Sequence, residues 1–446
     1  MRSTSARAAT RLALLLSGLG SFALAMAQTA QQAAPAAATT AAPALNGADT
    51  AWMLICTVLV LMMTMPGVIL FYSGMLRTKN ALSVVAHTVI GSAIITIAWV
   101  GIGYTVAFSP GTPWFGDLRH ALGEGIMGAK AGVHPVAPTV PESVFFMFQL
   151  AFAVITFAII LGATAERMRV GVTALFAALW LVLIYAPIAH WVWHPDGWLA
   201  RMGHMDFAGG TVVHIASGAS ALAAAWVLGP RRGFGREPMV PHNLLITVLG
   251  AGLLWAGWFG FNAGSAFEAS GRAAGALLAT QLSACAGAIL WGLAEGIKRG
   301  QWSVLGTMTG AIAGLIAVTP ASGYVNAGGA LAIGAAAGLI CFLAVVYFKK
   351  STGVDDSLDV FALHGVGGLV GTLMTPLLAD PGIDKITGTL TTNAIGAVAV
   401  LVYAAVGTWL LLRILSIFVP LRVDATEEQV GLDIAQHGEM LAPNTR

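Results

Sequence analysis

Charge is what this sequence has least of. Asp, Glu, Lys and Arg make up 9 % of its 446 residues, against roughly 25 % in a soluble domain, so a well-solvated globular surface is excluded. The formal net charge of +2 says little about partners, and no nucleic-acid partner is expected. Cysteine is nearly as scarce. Cys56, Cys285 and Cys341 fall inside apolar runs with no paired spacing and no nearby His or Cys. They read as small packing residues, not as a disulfide framework or a metal site. The inner loops hold no activated nucleophile, metal cluster or nucleotide motif, so neither an enzyme nor a cofactor is expected. What remains is apolar: 57 % of residues are hydrophobic, in repeated runs of about 20 that suit an all-α polytopic membrane protein.

Residues 1–27 read as a cleaved secretory signal. Arg2, Arg7 and Arg11 form a basic start, Leu12 to Leu24 a short apolar run, and Ala25-Met26-Ala27 a cleavage site. The alternative is an uncleaved extra helix, for which the run is short. Residues 28–48, rich in Ala, Pro, Thr and Gln, read as a flexible linker. Eleven spans follow, near 50–76, 83–108, 142–163, 172–192, 207–228, 242–266, 273–297, 303–319, 326–348, 358–378 and 391–418. The eighth is short and bounded by Pro and Gly. A first transmembrane half (49–235) precedes a second (236–380), then span eleven (381–418) and a polar tail (419–446).

Lysine and arginine orient these spans. Thirteen of them, among them Arg77, Arg167, Arg231, Lys298, Lys349 and Arg413, fall at one set of alternating ends; only Arg119, Lys130, Arg201, Arg272 and Lys385 fall at the other. The mature N-terminus is therefore expected outside and the C-terminal tail in the cytoplasm.

Two stretches stand out against this apolar background. Asp206 lies eight residues before His214 at the start of span five, and Asp356 lies eight before His364 at the start of span ten. A titratable side chain is expensive in lipid and marks function by default. Eight helical residues cover about 12 Å of a core about 30 Å thick, so both histidines are expected near the midplane, approached from opposite faces. A second echo agrees: Gly67, Phe71 and Gly74 in span one repeat as Gly257, Phe261 and Gly264 in span six. Spans one to five and six to ten thus read as inverted repeats, which place a substrate path at their interface. Small residues beside the histidines, Gly209-Gly210 and Gly365-Val-Gly367-Gly368, would let the two helices approach closely. The bland alternatives on residues alone are a satisfied core residue or half of a metal site for each histidine, and an interfacial aromatic anchor for Trp193.

Longer motifs carry a family resemblance. Asp206 to Ile215, Gly257-Trp258-Phe-Gly-Phe261-Asn-Ala-Gly-Ser265, Asp359-Val-Phe-Ala-Leu-His364-Gly365, Pro66-Gly67…Phe71-Tyr72-Ser73-Gly74, Gly162-Ala-Thr-Ala-Glu-Arg167 and Tyr185-Ala-Pro-Ile-Ala-His190-Trp-Val-Trp193 resemble the ammonium transporter family over nearly all of 50–440. The resemblance implies eleven helices, a five-plus-five inverted repeat and a homotrimer with one pore per subunit. It implies an outer ammonium site at Trp193, Phe152 and Ser265, supported by Asp206, with Phe148 and Gln149 one turn before Phe152. Phe152 and Phe261 match a pair of stacked rings that closes the pore, with Trp258 beside them, and His214 and His364 match twin pore histidines. Two histidines with no third ligand in the pattern argue against metal. Asp356 and Asp359 match structural positions at the start of span ten. The tail, Glu427 to Glu439, resembles an ordered segment that docks on the cytoplasmic face, where a PII-type regulator also binds in bacteria.

Departures are mild. Ser357 and Leu358 stand between Asp356 and Asp359, where members vary, and the loop 109–141 carries no recognisable part of the pattern. The Rhesus branch usually lacks the outer Trp and Ser, so Trp193 and Ser265 point to the Amt branch. The expected function is ammonium uptake across a bacterial inner membrane, through ammonia conduction or proton relay at the histidines. An ammonium sensor signalling through the tail is the alternative.

Overall fold

A computed structural model describes residues 45–128 and 132–441. The expected signal segment 1–27 and most of the linker lie outside them. Among the described residues the chain is helical, with only isolated bridges and no strand. Ten helices among the described residues are long and apolar enough to cross a membrane: α1 (Gly47–Met75), α2 (Thr78–Phe108), α3 (Glu142–Thr164), α4 (Val170–Arg201, interrupted at 194–197), α5 (Gly210–Leu228), α6 (Leu244–Gly264), α7 (Gly271–Arg299), α9 (Ala327–Thr352), α10 (Phe361–Leu378) and α11 (Leu390–Phe418). Between α7 and α9 lies a shorter apolar helix, α8 (Val304–Val318), where the eighth span was expected.

Polar caps set the starts. Asn46, Asn243, Ser270, Ser303, Asn326 and Thr389 each accept backbone N–H groups at the first turn of α1, α6, α7, α8, α9 and α11, satisfying donors that have no intrahelical partner. Residues 47 and 48 are already helical, so they belong to the first span and not to the linker.

α3 and α5 form the centre: 94 % and 83 % of their apolar windows are buried, against 33 % for α9. The outer helices therefore keep exposed apolar faces suited to lipid, as Ile97, Ile289 and Val398 illustrate. Glycines set the spacing within. A methyl on Gly257 would overlap Met63 and Leu59, and one on Gly264 would sit 2.7 Å from the Cys56 Cβ. Across the same seam Gly67 faces Leu254 and Gly74 faces Thr247, so α1 and α6 cross antiparallel with the repeated glycines at the contact. Pro66 sits in a widened π-helical turn of α1, Met63–Val68, which absorbs its missing N–H.

At the end of the bundle where α3 stops, a buried ion network ties the halves together. Glu166 receives Arg77 at 2.8 Å and Arg231 at 3.0 Å, and Arg231 bridges on to Asp355 at 2.8 Å. Arg167 donates to the Ser357 hydroxyl at 2.7 Å and the Asp355 carbonyl at 2.5 Å. Burial alone would raise the Glu166 carboxyl; hydrogen bonding from Arg77 and the charge of Arg231 hold it below its ordinary range.

The tail forms two short helices, α12 (Ala425–Val430) and α13 (Leu432–His437). Both pack on this end. Asp433 accepts from the Leu82 and Ser83 amides at 3.1 and 2.7 Å, capping α2, and Asn80 accepts from the Leu432 amide at 2.8 Å. Lys79 donates to the Glu428 and Gln429 carbonyls, and Arg169 pairs with Glu427.

Candidate functional site

The site begins at an interrupted helix. The first residues after Asp206 were expected to be helical, but α5 starts only at Gly210. Both carboxylate oxygens of Asp206 accept amide protons, from Gly209, Gly210, Thr211 and Val212 at 2.6 to 3.1 Å. That holds the chain in a turn, with Gly209 at φ +115°, a conformation that suits glycine. α10 repeats the device more sparsely: Asp356 accepts from the Phe361 amide at 2.7 Å, and Asp359, at φ +57°, pairs with Lys349 at 3.0 Å.

His214 and His364 both lie in π-helical turns, Gly210–Ile215 and Phe361–Gly365, a geometry often found at functional sites. Their Nδ1 atoms are 3.2 Å apart. The glycines make this possible. A methyl on Gly368 would meet the Gly210 carbonyl at 2.8 Å and the His214 Cβ at 3.1 Å, and one on Gly218 would meet the Gly365 Cα at 2.5 Å. Gly210 thus faces Gly368 while Gly218 faces Gly365, so α5 and α10 cross antiparallel. With one imidazole donating and the other accepting through Nδ1, the two Nε2 atoms differ, one bare and one carrying a proton. His214 Nε2 has no partner. Trp258 lies 5.5 Å from His214 at 25° and donates its N–H to Thr319 at 2.9 Å.

Three cavities lie in series around these rings. The middle one is almost wholly apolar and is lined by His214, His364, Trp258, Phe261, Tyr72 and Leu363, among others. At the Asp206 end a more polar cavity is lined by Trp193, Phe152, Gln149, Ser265, Asp206 and neighbours. Phe152 and Phe261 stand between the two, stacked at 4.1 Å and 19°. The third cavity, toward Asp359 and Glu295, shares Phe71, Leu358 and Leu363 with the middle one.

The side chains expected at an outer site come together. Trp193 meets Phe152 edge to face at 5.7 Å and donates its N–H to the Asp206 carbonyl at 3.0 Å. Phe148 lies 4.8 Å from Phe152. The Ser265 hydroxyl donates to the Phe261 carbonyl at 2.9 Å, leaving its oxygen free to accept. Gln149 Oε1 is buried without a partner. Asp356 and Asp359 stay apart from this group, at the start of α10.

Phe207, Phe267, Tyr324 and Arg272 line the same cavity; none was expected at a site, Arg272 having been read only as an outer-end charge. Each comes from a loop or helix start, where periodicity carries no signal. Only the proximity of Phe207 to Asp206 could have drawn notice.

Stacked rings and paired imidazoles around an apolar cavity, in a chain whose described residues form ten helices able to cross a membrane, define a class: a polytopic helical membrane protein with polar groups buried at its centre. Comparison supplies the family. The profile of the Ammonium Transporter Family matches residues 51–442, and the chain belongs to that family. It is 44 % identical to the ammonium transporter of Bacillus subtilis over 400 residues, 88 % of this chain and 97 % of that one. Among solved structures it is similar to Candida albicans Mep2, with 36 % identity and a TM-score of 0.80 over 89 % of this chain and 90 % of that one. It is also similar to a protein described as a sensor Amt protein, with 28 % identity and a TM-score of 0.81 over 87 % and 98 %. Family and neighbours support ammonium transport, a membrane location and a transport function instead of catalysis.

Proposed function

We propose that this chain takes up ammonium through a pore running past Trp193, the Phe152/Phe261 stack and the His214/His364 pair. The observation that carries the reading is the 3.2 Å contact between two buried imidazoles in an apolar cavity directly behind the stacked phenyl rings. Ammonium is recruited at the Asp206 end, the outer side by the charge bias. There the Trp193 and Phe152 faces attract a small cation, and the Ser265 and Gln149 oxygens accept its N–H groups. A closed ring stack and an apolar channel exclude a hydrated ion, because desolvating a charge costs many kcal/mol. Ammonium therefore gives up its proton near the gate. Ammonia passes the stack and then the histidines, whose bare and protonated Nε2 atoms offer an acceptor and a donor. The proton crosses separately, over the imidazole pair.

Eleven spans in a five-plus-five inverted repeat suit this reading. The antiparallel crossings of α1 with α6 and of α5 with α10, each through glycines, support it, with α8 as the eighth span. A homotrimer, a PII-type partner on the tail face, a cleaved signal and an inner-membrane location with the tail inside belong to the same proposal. The match to the Ammonium Transporter Family and the 44 % identity to a relative named as an ammonium transporter favour transport over sensing. Growth of a transport-deficient strain on limiting ammonium tests this directly. Rescue is expected; tail-dependent signalling without rescue would favour the sensor. Recordings on purified protein in liposomes test the proton's path, and absence of an ammonium-evoked current would exclude separate proton transfer.

A further inference from the structure

The cavity proposed to recruit a cation contains a fixed cation of its own. Arg272, in the first turn of α7, lines it together with Asp206 and Trp193. Four contacts pin its guanidinium. It lies 4.8 Å from the Phe207 ring centre and 5.1 Å from that of Tyr324. Its Nε donates to the Gly323 carbonyl at 3.2 Å. It forms an ion pair with Asp384, in the loop between α10 and α11.

We infer that the Arg272–Asp384 pair sets the electrostatic selectivity of the mouth. Asp384 cancels the charge of Arg272 so that a cation is admitted, while Arg272 occupies the Phe207 and Tyr324 faces and leaves those of Trp193 and Phe152 to the cargo. Asp206, which lines the cavity, spends its charge on four amides, and Asp380, beside Tyr324, accepts from Asn326 and the Gly382 amide; neither forms an ion pair with Arg272. Asp384 is therefore the counter-charge. Its side chain is 32 % exposed and that of Arg272 29 % exposed, so their field reaches solvent and is screened by salt. Opposite charges in contact present a dipole to an arriving ion. Removing one presents a full unit charge at the cavity that Arg272 lines.

The inference rests on the transport reading, and the test separates the two. Half-saturation for ammonium uptake into proteoliposomes is measured for wild type, Asp384→Asn, Arg272→Gln and the double variant, at ~0.01 M and ~0.5 M salt. At low salt Asp384→Asn is expected to raise half-saturation about three- to tenfold, shrinking to less than about twofold at high salt. Arg272→Gln should lower it, and the double variant should return within about twofold of wild type. A saturable uptake curve with wild-type maximal rate in each single variant shows that it folds. An unchanged half-saturation in Asp384→Asn, a shift of equal size at both salt levels, or a double variant as poor as Asp384→Asn would each overturn the assignment and leave the pair a purely mechanical clamp. Absence of uptake by the wild type would instead sink the transport reading, and this inference with it.

Discussion

One methyl group at Gly218 should uncouple the two imidazoles. The Cβ of an alanine there would lie 2.5 Å from the Gly365 Cα, about 0.9 Å short of an ordinary 3.4 Å contact. The obstacle is backbone on the facing helix, next in sequence to His364, so no side-chain rotation relieves it. α5 and α10 must separate by about that distance, and the Nδ1 contact, 3.2 Å in the native packing, stretches toward ~4 Å, beyond hydrogen-bonding range. Overpacking of this kind costs about 1–3 kcal/mol, and the helix preference of Ala over Gly returns roughly 0.5–1 kcal/mol. The variant should therefore fold, a little less stably, with its rings parted. Initial ammonium uptake into proteoliposomes is expected to fall about ten- to a hundredfold, the usual consequence of moving reacting groups by ~1 Å. Gly252→Ala is the control, because nothing lies within 4 Å of its Cβ; it should transport normally and be equally or more stable. Full uptake by Gly218→Ala, with a lowered melting temperature showing that the clash is real, would refute the idea that transport depends on the close imidazoles.

Three further outcomes follow from other parts of the fold. Phe261→Ala removes one ring of the 4.1 Å stack and should let potassium leak through liposomes that wild-type protein leaves tight; an unchanged potassium permeability would locate the barrier elsewhere. Asp433→Asn weakens the cap on the Leu82 and Ser83 amides, costing about 0.5–2 kcal/mol, and should speed proteolysis between α11 and α13 without altering cleavage in the outer loops. In the loop before α3, burial lowers the His134 imidazole to about 4 from its ordinary 6.5. Its folded form resists protonation more than its unfolded form does, so its contribution is complete above pH ~6.5 and lost as pH falls toward ~4. Thermal stability in detergent should drop across that window, and the drop should flatten in His134→Gln.

How much of this was legible beforehand differs from residue to residue. His214 and His364 announced themselves because a titratable group in an apolar run has few bland explanations, and their matched spacing to Asp206 and Asp356 paired them. The glycine echo marked the α1/α6 seam for the same reason: a repeated small residue survives as pattern. The turn at 206–209 was hidden, because a carboxylate that collects four amides reads in sequence like an ordinary cap on a longer helix. Arg272, Tyr324, Phe207 and Phe267 were invisible for a different reason. They converge from separate loops and helix starts, and only the fold brings them to one cavity. Family resemblance gave Phe152, Phe261, Trp193 and Ser265 their expected roles; without it a phenylalanine in a membrane span says only that it is apolar.

The central claim is that the paired imidazoles carry ammonium-selective passage. It is tested most directly by replacing His214 and His364 together with leucine and measuring ammonium flux against potassium flux in the same liposomes. Wild-type protein is expected to pass ammonium and exclude potassium, and the double variant to lose this distinction or stop conducting. Wild-type selectivity at a wild-type rate in the double variant would contradict it.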